Sequence, residues 1–245
     1  MDRIYSRHGV RESLRARRRS FQTLYIADGV EDAPILRDIR QLAAQAKVPV
    51  RSAERDKLNQ VTPQHQGVLL EAGAYPYAEL DDIFARALAR GEAPFILVLD
   101  ALQDPQNLGS LIRTAEAVGV HGVVIPERRS AEVTPAVVNA SSGAVEHMLV
   151  VRVVNLVRAI EEIKKHDVWV SALDSGPGAM PLFAADLKGA TALVVGSEGE
   201  GVHRLVREKA DFVLALPMRG RIESLNAAVA GSVALYEALR QRGGG

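Results

Sequence analysis

The chain has 245 residues, 47% of them hydrophobic and 24% charged, and its 30 basic residues are balanced by 30 acidic ones. That length accommodates two domains of ordinary size with a substantial core, and a net charge of zero points neither toward nor away from nucleic acid. The lack of cysteine excludes disulfide frameworks, thiolate metal sites and cysteine nucleophiles. The longest apolar runs, such as Phe95 to Leu99, fall far short of the roughly 18–20 residues of a membrane span. The basic N-terminus is followed by no apolar stretch of a secretory signal, so a soluble, cytoplasmic protein is expected.

Charge is unevenly placed. Residues 1–60 carry 13 basic and 8 acidic side chains, and most of the excess lies in the first twenty positions. Arg7, Arg11, Arg15 and Arg18 recur at spacings of four and three, so a helix would gather them on one face. Such a row of guanidinium forks fits an RNA or DNA backbone; a solvated helix face is the alternative reading. Further along, Leu24–Ala27 and Gly67–Leu70 read as short strands flanking a helix over Ala33–Lys47, a small α/β domain. The Gly- and Pro-containing stretch Ala72–Tyr77 reads as a linker, followed by a helix over Leu80–Ala89.

From Phe95 the pattern changes to buried strands alternating with amphipathic helices. The expected strands are Phe95–Leu99, Gly122–Ile125, Leu149–Val153, Val168–Ala172, Ala192–Val195 and Phe212–Leu216. Helices are expected over Leu108–Ala117, Val133–Ala140, Leu156–His166, Val202–Lys209 and Leu225–Arg242. Near-continuous Val, Ile and Leu strands separated by helices imply a parallel sheet covered on both faces. The domain boundaries read from this pattern are 1–72, a linker over 73–93, and 94–245.

Ligands of open α/β sheets bind beyond the carboxyl ends of strands, and three strand ends here are rich in glycine, proline and small polar residues. They are Asp104–Ala115, Gly196–Val202 and Pro217–Asn226. The spacing of Gly196, Gly199 and Gly201 matches neither a dinucleotide fingerprint nor a P-loop, and Glu198 and Glu200 within it would repel a pyrophosphate. They suit a ligand bearing hydroxyl, amino or sulfonium groups, or the segment is simply a structural turn. Arg113 falls on the helix that carries Asn107 and Gly109, where an arginine is commonly solvated or paired. Ser224 and Asn226 flank the start of the last helix, where either can serve as a cap. No serine lies in a nucleophile elbow, and the six histidines show no metal-ligand spacing; no metal is expected.

Taken together, these segments resemble the three motifs of the SpoU/TrmH family of RNA ribose 2′-O-methyltransferases. The resemblance is carried by Asn107-x-Gly109-x-x-x-Arg113-x-Ala115, by Gly196-x-Glu198-x-x-Gly201, and by Leu216-Pro217-Met218 with Ser224-Leu225-Asn226. The first seventy residues, opening with His8-Gly9-Val10, resemble the small substrate-binding domain attached to many members. Asn139–Ala144 and Val154-Asn155-Leu156 are similar to the subtype that methylates a guanosine of 23S ribosomal RNA.

The resemblance implies a C-terminal trefoil-knotted, parallel-sheet methyltransferase domain of the SPOUT superfamily, preceded by a small N-terminal α/β RNA-binding domain. It implies S-adenosylmethionine (SAM) as cofactor, held at Gly196, Leu216, Met218 and Leu225. Arg113 is implied as the residue that activates the ribose hydroxyl, with Asn107, Glu198, Ser224 and Asn226 placing the reacting groups. It further implies a homodimer with 23S ribosomal RNA as substrate; Arg7, Arg11, Arg15 and Arg18, marked by their spacing, are the expected RNA contacts. Methylation of tRNA or of another ribosomal site, and a catalytically silent RNA-binding assembly factor, are the alternatives. The family commonly has a second serine in the third motif, where this chain has Ala228.

Overall fold

The computed structural model describes every residue except Pro177, Glu198, Glu200, Glu223, Gly244 and Gly245. The chain forms two compact units, Met1–Pro76 with Glu132–His147, and Tyr77–Ala131 with Met148–Gly245. The first opens with β1 (Asp2–Tyr5), α1 (Arg7–Ala16), β2 (Phe21–Ala27), α2 (Pro34–Gln45), β3 (Val50–Ala53), α3 (Arg55–Asn59) and β4 (Val68–Ala72). The second begins with α4 (Leu80–Arg90), β5 (Phe95–Leu99), α5 (Pro105–Ala117) and β6 (Gly122–Pro126). The chain returns to the first unit for α6 (Pro135–Ala140) and a 3₁₀ turn, Ala144–His147. It completes the second with β7 (Val150–Val153), α7 (Leu156–Lys164), β8 (Trp169–Leu173), β9 (Met180–Pro181), β10 (Thr191–Val195), α8 (Arg204–Lys209), β11 (Phe212–Ala215) and α9 (Ala227–Gln241).

In the first unit the strands form a mixed sheet in the order β1-β4-β2-β3, with only β2 and β3 parallel. Its helix α1 starts where the Ser6 hydroxyl accepts from the Gly9 N–H and stops where Arg17 takes a left-handed conformation, φ 52°. The returning segment is fastened to this unit by a buried ion pair. Arg19 donates from Nη2 to Glu146 Oε1 at 2.7 Å and from Nε to Oε2 at 3.0 Å, and its Nη1 reaches Asp2 at 2.7 Å. Tyr75 lies against both Arg18 and Arg19, and burial pushes its phenol up to about 12. Burial also raises the Glu146 carboxyl, against the pull of Arg19.

Among the described residues, the second unit holds an all-parallel sheet of seven strands in the order β7-β6-β5-β10-β8-β11-β9. Alternation along β5 and β10 sends Ile96, Val98, Ala192 and Val194 to one face, where Ile83 of α4, Ile160 of α7 and Val206 of α8 cover them. On the other face α5 packs against α9. A Cβ on Gly231 of α9 would lie 2.5 Å from Leu111 of α5 and 3.1 Å from Val195, so the glycine permits this close approach. Both faces are thus covered, as expected for continuous apolar strands.

The elements differ from the expectation at several places. Strands β1 and β3 were not anticipated, because neither is a clean apolar run; β3 reads Val-Arg-Ser-Ala. Helix α5 begins three residues before the expected start, since Pro105 occupies its first position and Asp104 caps it by accepting from the Gln106 N–H. Within the stretch expected as a linker, α4 packs Ile83 into the core of the second unit. Residues 132–147, within the expected C-terminal domain, cluster instead with the first unit. Among the described residues, no helix is long and apolar enough to cross a membrane.

Candidate active site

A cleft of about 620 Å³ opens at the carboxyl ends of β8, β10 and β11. It is lined by Gly196, Ser197, Gly199 and Gly201 from the loop after β10, and by Leu216, Met218, Ser224, Leu225 and Asn226 from the segment joining β11 to α9. Two of the three segments singled out in the sequence therefore meet at one site. The loop after β10 folds back on itself, with Ser197 and Gly201 exchanging backbone hydrogen bonds at 3.0 and 3.1 Å. A Cβ on Gly196 would lie 2.1 Å from the backbone of Gly201, so only glycine fits where the two arms of the loop touch.

Among the described residues, the first segment reaches the cleft through Asn107. Asn226 caps α9, its Oδ1 accepting from Ala228 N–H at 2.9 Å and Val229 N–H at 3.2 Å. Its Nδ2 then donates to Asn107 Oδ1 in the first turn of α5 at 3.0 Å. The cap expected as one reading of Asn226 is present, and the same amide ties the first motif to the third. Arg113 lies two turns further along α5, exposed, and is not among the described residues lining the cleft. Glu198 lies outside the described residues.

The sequence reading missed Asp174. It follows β8 directly, lines the cleft, accepts from the Ser175 N–H at 2.8 Å and lies 3.4 Å from Arg207. No motif surrounds it; its signal is an acid placed immediately after the last residue of a parallel strand.

The lining decides which ligands fit. Among the described residues it contains no lysine or arginine, so nothing there neutralises a polyphosphate. It offers leucines from four positions, backbone groups at glycine-rich turns, and the Asp174 carboxylate. A volume in the range of small-molecule sites with that lining fits a nucleoside bearing hydroxyl, amino and cationic groups.

In the first unit the arginine row is broken. Arg11 pairs with Glu12 at 2.8 Å, and Arg15 pairs with Glu12 and Asp38 at 3.1 Å. Arg18 lies past the end of α1 and bonds Tyr75 Oη, the Pro76 carbonyl and the Glu146 carbonyl. It is therefore a structural residue of this unit and does not continue the helical face, because the left-handed turn at Arg17 ends the periodicity. Arg7 stands apart. Its Nε donates to the Gln66 carbonyl at 3.0 Å, and it lines a shallow cleft of about 490 Å³ with Gly29, Val30, Glu31, Arg55 and Gln66.

The fold has close relatives of known structure. The crystal structure of the SpoU methyltransferase AviRb from Streptomyces viridochromogenes, in complex with the cofactor AdoMet, matches with a TM-score of 0.82 at 26% identity, covering 99% of this chain and 91% of that one. Fold and cleft together define an α/β methyltransferase of the SPOUT kind. Residues 94–236 match the SpoU rRNA methylase family and residues 3–78 match an RNA 2′-O ribose methyltransferase substrate-binding domain. The putative TrmH family tRNA/rRNA methyltransferase YacO of Bacillus subtilis (strain 168) is 43% identical, covering 98% of this chain and 96% of its own. A protein of the same description from Staphylococcus haemolyticus (strain JCSC1435) is 39% identical, covering 98% and 95%. The chain belongs to the SpoU rRNA methylase family.

Proposed function

We propose that this protein transfers a methyl group from SAM to the ribose 2′-hydroxyl of a guanosine in 23S ribosomal RNA. The observation that carries the reading is the cleft that gathers Gly196, Leu216, Met218, Ser224, Leu225 and Asn226, with Asn107 joined to it through Asn226. SAM supplies a methyl on a sulfonium, already activated for transfer. The leucines of the cleft bury the nucleoside, and backbone groups at Gly196, Leu216 and Leu225 bond its polar edge. Asn107, Glu198, Ser224 and Asn226 place the ribose and the cofactor.

Arg113 orients and polarises the 2′-hydroxyl or grips the neighbouring phosphate. A guanidinium that keeps its proton is a poor base, so Arg113 would bind and polarise the hydroxyl rather than deprotonate it, and the hydroxyl proton would pass to solvent water. Because Arg113 sits outside the lining of its own chain's cleft, we read the enzyme as a homodimer in which the two subunits complete each other's sites. Helix α9, with Val229 and Tyr236 exposed, forms the interface, and the C-terminal part is threaded as the trefoil knot of the family. RNA backbone is held by Arg7 and Arg55 in the shallow cleft of the first unit, and by Arg11 and Arg15 further along α1.

Mapping 2′-O-methylated nucleotides in RNA from cells with and without this protein tests the reading. One guanosine of 23S ribosomal RNA is expected to lose its mark. A lost mark on tRNA or at another ribosomal site moves the substrate, and no lost mark together with no SAM binding makes the protein a silent RNA-binding factor.

A further inference from the structure

The loop that lines the cleft between Gly196 and Gly201 is tied at both ends to one residue. Asp100 follows β5 directly, and its side chain is only 7% exposed. Its backbone N–H donates at 2.8 Å to the carbonyl of Val195, the last residue of β10 and the one before Gly196. Its carboxylate takes the other end: Oδ2 accepts from the His203 N–H at 2.7 Å, and Oδ1 from the His203 ring Nδ1–H at 3.0 Å. Between these anchors run Gly196, Ser197, Gly199 and Gly201, all in the cleft wall. Four residues beyond Asp100, Asp104 caps the helix that carries Asn107.

Closing the turn does not require this arrangement. The Ser197 and Gly201 backbone pair already closes it, and α8 takes no side-chain cap from His203. Burying a carboxylate is unfavourable unless its oxygens are bonded, and here both are, through charge-assisted bonds. We propose that Asp100 is a positioning residue for the cofactor loop, with the His203 ring as its second arm, setting the width of the loop and so the affinity for SAM. The inference rests on the reading of this cleft as the SAM site.

Four variants test it: His203→Ala, His203→Asn, Asp100→Asn and Asp100→Ala. Hydrogen–deuterium exchange of the 197–203 segment is read in the full-length protein without ligand, and the KM for SAM and kcat are read in methyl transfer. His203→Ala keeps the backbone arm and loses the ring. It is expected to exchange about tenfold faster across this segment, the fold-change of one charge-assisted bond, and to raise the KM for SAM by a similar factor with kcat within about twofold. His203→Asn, whose amide N–H takes the place of Nδ1–H, restores both. Asp100→Ala has the larger effect, and Asp100→Asn falls between. Unchanged exchange in folded His203→Ala, no rescue by asparagine, or a loss confined to kcat overturns the proposal. If the wild-type protein bound no SAM, the cofactor reading would fall on its own, while exchange would still decide whether Asp100 and His203 hold the loop.

Discussion

In the proposed function Arg113, Asn226 and Gly196 each carry a separate task. Removing the guanidinium in Arg113→Ala is expected to abolish methyl transfer while SAM affinity, measured by calorimetry, stays within about twofold; a large loss of SAM binding would refute the orienting role. Asn226→Ala removes a cap worth about 1 kcal/mol and the bond to Asn107, so a modest fall in urea stability should accompany a much larger fall in kcat. Gly196→Ala drives a Cβ into the Gly201 backbone 2.1 Å away. The two arms of the loop must then separate, and SAM affinity is expected to drop at least about tenfold.

At the scale of elements, two close packings set the architecture. In the second unit, Gly231 lets α9 settle against α5, and Asn226 then lies within reach of Asn107. In the first unit the 3₁₀ turn at Ala144–His147 is held by Arg19, whose guanidinium is fully buried with the Glu146 carboxylate. Arg19→Met leaves that carboxylate buried without its partner. The expected loss is about 3–5 kcal/mol, seen as a lower urea midpoint for the first unit, and an unchanged midpoint would show the pair to be dispensable. A salt-dependence experiment on RNA binding is therefore better aimed at Arg7→Gln with Arg55→Gln, each expected to lower the slope by about 0.7–0.9. The same experiment on Arg18 or Arg19 would report unfolding.

At the scale of the whole molecule, each unit contains a buried neutral histidine. His121 Nδ1 accepts from the Phe95 N–H at 2.9 Å at the start of β5, and its Nε2 faces Glu92 at 3.0 Å. His65 Nδ1 accepts from the Gly67 N–H at 2.8 Å, and its Nε2 faces Asn59 at 3.0 Å. Burial lowers both below the ordinary value of 6.5; Glu92 partly opposes this at His121, and Arg55 reinforces it at His65. A depressed folded value means that the stability these rings contribute is present above pH 6.5 and is lost as pH falls through the depressed values. Each adds a slope of at most about 1.4 kcal/mol per pH unit. Urea midpoints should fall between pH 7 and 5, less steeply in His65→Gln with His121→Gln; equal slopes would remove the histidines as the cause.

Local chemistry was enough to place the strands described in the second unit other than β9, because a strand buried on both faces must be continuously apolar, as Phe95–Leu99 is, whereas β9 is only Met180–Pro181. It also marked the loops Gly196–Val202 and Pro217–Asn226, since turns that bring backbone to a ligand need glycine, proline and small polar residues; Leu216, Met218 and Leu225 were implied as cofactor contacts only by the resemblance to the family motifs. It did not yield the limits of the first unit, the end of the arginine row at Arg17, or the roles of Asp100 and Asp174. Those depend on partners far away in the chain: Glu146 for Arg19, His203 for Asp100, Arg207 for Asp174. A residue's neighbours along the chain fix its backbone preference and its side of a strand. Which charge it meets once water is excluded is decided only when the strands and helices have packed.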